Sequence, residues 1–136
     1  VEDDENEAIE VVTPATYYLK NGKHYIVYEE VVEGTSGVIK NRIKINGDEC
    51  VEIVKSGLSN SHMIFEKNKK NQTFYKTPYG QMLIGVNTRH LQVDFEEDKI
   101  AVQIDYELDV NHEPMADCKI RMNIVSKDSG KFSVLS

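Results

Sequence analysis

The chain lacks most of the features by which a sequence announces a function. It has two cysteines in 136 residues, Cys50 and Cys118, with no CxxC pair and no Cys/His spacing suited to zinc. Two isolated cysteines in a reducing compartment ordinarily serve as small buried hydrophobes, and sequence alone leaves a disulfide between them open. No apolar run approaches the roughly 18 residues of a membrane span. No basic segment followed by an apolar one opens the chain as a secretory signal would. The expected compartment is therefore the cytoplasm, with no membrane partner. Basic residues are also in deficit, 16 Lys and Arg against 23 acids, for a net charge of −7. Six of those acids stand between Val1 and Glu10 with no base among them, and the remaining 17 nearly balance the 16 bases. An acidic end on a near-neutral body is not the basic face of a nucleic-acid binder. There is no phosphate-binding glycine loop, no dinucleotide fingerprint, no GxSxG and no Cys-His-Asp arrangement. The four histidines, His24, His62, His90 and His112, have no i, i+2 pair and no carboxylate at ligand spacing, so neither a metal nor a cofactor is expected.

What is present is alternation. From Ile100 to Val110 the apolar side chains Ile100, Val102, Ile104, Tyr106, Leu108 and Val110 share one face, and Gln103, Asp105, Glu107 and Asp109 share the other. This is the period of a half-buried strand, and no stretch sustains a helical period. The next strand repeats the pattern with Ala116, Cys118, Ile120, Met122 and Ile124 inward. A loop over Asn111 to Met115 would set Glu107 opposite Lys119 and Asp105 opposite Arg121, with Asp109 less favourably opposite Asp117. Glu97-Asp98 reads as a two-residue turn pairing Phe95 with Ile100, Val93 with Val102 and Leu91 with Ile104. Asn21-Gly22 is a strong hairpin signal, because a type I′ turn needs positive φ at both central residues. It would join strands near Ile9 to Lys20 and His24 to Val32. Further strands are expected near Val38 to Ile45, Val51 to Lys55, Met63 to Lys67, Thr73 to Thr77 and Met82 to Val86. Roughly eight to ten strands result, all antiparallel. Successive hairpins with one apolar face favour an all-β, up-and-down barrel, since open edges invite aggregation. A single domain over residues 1–136 is expected, with 1–8 an acidic end or an incomplete edge strand.

Tyr28-Glu29-Glu30, the run Phe74-Tyr75-Lys76-Thr77-Pro78-Tyr79-Gly80, Thr88 and the Tyr106 strand together resemble an uncharacterised bacterial family, the YwiB-like proteins. The resemblance covers nearly the whole chain, and Tyr-x-Thr-Pro-Tyr-Gly is its most specific part. It implies a calycin-type, lipocalin-like barrel in a bacterial cytoplasmic protein. It implies no reaction and hands on no catalytic residue.

The most informative irregularity is a change of phase. Met82, Ile84 and Val86 are on even positions, but Leu91, Val93 and Phe95 are on odd ones, so one residue between Asn87 and His90 must be out of step. A β-bulge of this kind re-aims side chains and is common at barrel rims and beside sites. Carrying the Phe95–Ile100 register back would set Arg89 opposite inward-facing Tyr106, with Thr88 and His90 adjacent. Such a cluster could orient one anionic or phenolic ligand. The plainer alternative is a bulge that turns a corner while Arg89 and His90 face water. Tyr28, Tyr75 and Tyr79 could add apolar area with a polar handle to the same cavity. In Thr77-Pro78-Tyr79-Gly80, proline and glycine suit a tight connection. Of Glu29 and Glu30, at most one can face inward.

Three readings follow. In the leading one the chain is a non-enzymatic binder of a small, partly apolar ligand, contacted by Tyr106 and Arg89, with Thr88, His90, Tyr28, Tyr75 and Tyr79 around it. The second is an interaction module, or a self-associating one, with a filled barrel. The third is an enzyme using an inward glutamate with a tyrosine or arginine, which requires a carboxylate of raised pKa in a pocket.

Overall fold

The computed structural model describes residues 10–127, so the acidic end expected over 1–8 lies outside the described residues. Among the described residues nine strands follow one another: β1 Thr16–Lys20, β2 Lys23–Val31, β3 Val38–Asn46, β4 Cys50–Gly57, β5 Ser61–Glu66, β6 Lys70–Thr77, β7 Gly80–Phe95, β8 Lys99–Val110 and β9 Glu113–Val125. Every pairing is antiparallel and joins sequence neighbours, giving a five-stranded sheet β1 to β5 and a four-stranded sheet β6 to β9. The all-β, up-and-down expectation and its strand count therefore hold. The hydrogen-bonded ladder does not run unbroken around the molecule, because β5 and β6, consecutive in the chain, belong to different sheets.

The alternation places the core. Ile26, Ile43, Ile45, Val51 and Phe65 of the first sheet meet Val86, Leu91, Val93, Ile100, Val102 and Ile104 of the second, all buried. Each such side chain contributes roughly 1.5–3 kcal/mol by leaving water. Asn21 (φ 53°) and Gly22 (φ 77°) form the β1–β2 turn, with Lys20 paired to Lys23. The β7–β8 register is as expected, Phe95 with Ile100, Val93 with Val102 and Leu91 with Ile104. Met82–Val86 and Leu91–Phe95 are the two halves of one long strand, β7.

The β8–β9 register differs from the expected one by two residues. Asn111 (φ 50°) and His112 (φ 70°) make a two-residue turn, and a bulge beside Asp109 absorbs the remaining slack. Asp105 therefore faces Lys119, and Glu107 faces Asp117. The inward faces are unchanged, because a shift of two preserves parity. Arg121 still reaches Asp105 diagonally at 2.9 Å, and Glu107 pairs instead with Arg89 at 2.9 Å. Asp109 lies opposite Pro114, not Asp117, and is bonded to Lys70 of β6. That bond crosses β7 over Gly85, where an added Cβ would stand 2.9 Å from the Lys70 side chain and 3.3 Å from that of Asp109. A glycine inside the strand is what lets the two side chains meet.

Candidate functional site

The expected bulge is present, with the register shifting between Thr88 and His90. It does not place Arg89 as expected. Thr88 is the residue opposite Tyr106, and Arg89, the supernumerary residue, points out to water and to Glu107 on the outer face. The register could not be carried back through Arg89, because a bulge residue has no partner of its own. His90 is likewise on the outer face, opposite Asp105. Tyr79 sits 98% exposed in the β6–β7 turn, where Thr77 Oγ1 accepts from Tyr79 N–H (3.1 Å) and donates to the Gly80 carbonyl (2.7 Å). Three of the residues read as lining an interior are thus outside it.

The other four do face inward. Tyr106 packs edge-on to Phe65 with ring centroids 4.9 Å apart, and burial together with the neighbouring Cys118 holds its phenol protonated far above the usual range. Thr88 is buried, and its hydroxyl has no hydrogen-bond partner among the described residues. Tyr28 is half-buried opposite Asn41, its phenol pushed up by burial and then by Glu30. Tyr75 stands on β6 where the two sheets part. Phe65, fully buried, and Tyr106 thus pack against each other at the point where the cluster was expected. Both cysteines are free.

Space exists instead along the seam between β5 and β6. At its closed end the turn between these strands is tied to the bulge: Asn68 N–H donates to the Thr88 carbonyl and Thr88 N–H to the Lys69 carbonyl, both at 3.1 Å. From there the seam widens through a void of about 220 Å³ beside Met63, Asn71 and Thr73. It opens into a cleft of about 640 Å³ lined among others by Lys55, Ser61, His62, Thr73, Phe74 and Tyr75. Behind Lys55 lies a polar triad on the inner face of the first sheet. Its ammonium donates to Glu30 Oε1 (3.0 Å) and Asn41 Oδ1 (2.6 Å), and Asn41 Nδ2 donates to the same Glu30 oxygen (2.8 Å). Asn41 is 1% exposed.

Glu30 is therefore the inward glutamate of the pair. Hydrogen bonds from Asn41 and Lys55 hold its carboxyl below the usual range, the opposite of what a general acid requires. Asn41 and Lys55 were missed in the sequence, although a signal existed: Asn41 stands on the parity of Ile39, Ile43 and Ile45, and Lys55 on that of Val51 and Ile53. A polar residue in an apolar phase marks either a rim or a buried network.

A family model described as "Domain of unknown function (DUF1934)" matches residues 1–122. An uncharacterised β-barrel protein of Bacillus subtilis (strain 168), YwiB, is 32% identical over 114 residues, 83% of this chain and 78% of its own length. The crystal structure of the ywiB protein from Bacillus subtilis superposes with a TM-score of 0.69 over 93% of this chain and 85% of that one, at 26% identity. The resemblance read from the tyrosine-rich segments is thus borne out by sequence and by fold, and the chain belongs to the DUF1934 family.

Proposed function

We propose that the chain is a non-enzymatic, cytoplasmic binding module whose ligand is a small, partly apolar molecule held in the seam between β5 and β6. One observation carries this reading: the cleft of about 640 Å³ joins the two sheets at their open edges and has Lys55 and Tyr75 among the residues lining it. Its size lies within the roughly 300–1,000 Å³ usual for ligand sites. Apolar walls with a few convergent polar groups are the usual composition of such a site, and Phe74, Tyr75, Ser61 and Lys55 supply both kinds. Tyr28 stands behind this wall, and Tyr106 belongs to the packed interior that supports it.

Native mass spectrometry of protein purified gently from cells, set against the denatured mass of the same sample, tests this reading. A ligand-sized excess is the expected result. A dimer without excess mass would favour the interaction module, for which the filled centre and the unpaired edges of β5 and β6 speak.

A further inference from the structure

We propose that the seam cleft selects an anion: a carboxylate, sulfonate or phosphate head carried on a single apolar body. This rests on the reading of the cleft as a ligand site and names the class of ligand. The first observation is charge. The chain has 23 acids against 16 Lys and Arg, yet no Asp or Glu lines the cleft, while Lys55 and Lys76 do. His62, which also lines it, is already engaged by Glu52 on the outer face.

The second observation is a built donor. An ammonium has three N–H groups, and Lys55 spends two of them on Glu30 and Asn41, at 3.0 and 2.6 Å. Asn41, 1% exposed, fixes the position of that nitrogen. The remaining N–H belongs to a side chain that lines the cleft, so it can meet an incoming oxygen without the entropy of first ordering a free lysine. A hydrogen bond from a charged donor to an anion is shorter and stronger than a neutral one.

The third observation is the body of the ligand. Leu58 and Phe74, 53% and 68% exposed, flank the opening together with Tyr75, offering apolar and aromatic area beyond the head. Lys76, on the outer face of β6, adds a second positive charge at the mouth. An anion with an apolar tail satisfies all three features at once. A neutral apolar molecule leaves the Lys55 donor unused, and a cation meets Lys76 at the mouth and an ammonium, already paired with Glu30, that has only a donor to offer.

Fluorescence titration with a matched pair of probes tests this. 1-Anilinonaphthalene-8-sulfonate and N-phenyl-1-naphthylamine share an aromatic body and differ by the sulfonate. The sulfonate is expected to bind more tightly, and Lys55→Gln to weaken it about tenfold while leaving the neutral probe unchanged, as befits one charge-assisted hydrogen bond. Lys76→Gln, which alters an exposed side chain, is expected to act in the same direction with a smaller effect. It decides the matter if Lys55→Gln fails to fold. Equal binding of the two probes, or equal loss of both in the variants, overturns the anion inference and leaves the cleft as a neutral site. Binding of neither probe to the wild-type protein overturns the ligand site itself.

Discussion

Among single residues, the structure distinguishes side chains that share a face from side chains that share a role. His24 lies on the inner face of β2, opposite Ile45 of β3, with Tyr17 of β1 bonded to its Nδ1 at 2.7 Å and the Phe95 ring of β7 tilted against it, centroids 4.8 Å apart. Burial holds its pKa below the ordinary imidazole value of 6.5. A depressed value in the folded state means that the unfolded chain binds the proton more readily. Stability is then complete above about pH 6.5 and declines as pH falls through the lowered value. Glu30 and Glu52, whose values are also lowered, add a further loss below the ordinary carboxylate value of 4.5. Thermal melts between about pH 7 and pH 5 should show the first decline, and His24→Phe should flatten it while leaving the acid limb in place. An unaltered slope in that variant would assign the decline to another group.

At the level of elements, the bulge in β7 carries the organisation of the second sheet. Its side chain matters little: Arg89→Ala removes an exposed ion pair and should cost only about 0.2–1 kcal/mol. Its backbone is a different matter. Deleting Arg89 alone would make Thr88, His90 and Leu91 alternate regularly, keeping Ile84, Val86, Leu91 and Val93 all inward. That variant should remain folded, with a less bent β7. Deleting both Arg89 and His90 would turn Leu91 and Val93 to the outer face, and should abolish folding. Circular dichroism and soluble yield compare the two. Failure of the single deletion to the same degree as the double would show that the bend itself, with the Asn68 and Lys69 bonds to Thr88, is indispensable. The phase change that marks this bulge was legible in the sequence, because periodicity is a local property. Which residue would be left unpaired was not, since that depends on where the hydrogen bonds of β8 run out of step.

Across the whole molecule, the seam is the weak line between two sheets that share one core. Amides on the outer edges of β5 and β6 have no partner strand, whereas β7 and β8 are paired on both sides. Hydrogen exchange should therefore be faster at Ser61–Glu66 and Lys70–Thr77 than along β7 and β8. Equal protection would mean that the seam closes into a continuous ladder in solution. Sequence by itself determined the strands, their inward faces and the hairpin order, because alternation and turn chemistry act over a few residues. It also carried the family through its tyrosine-rich segments. It could not determine that the centre would be filled by Phe65 against Tyr106, nor that Glu30, Asn41 and Lys55 would converge from three strands beside an open seam. Those outcomes depend on how far apart two sheets settle once their side chains interlock, and that distance is set by packing across the core, not by any stretch of chain alone.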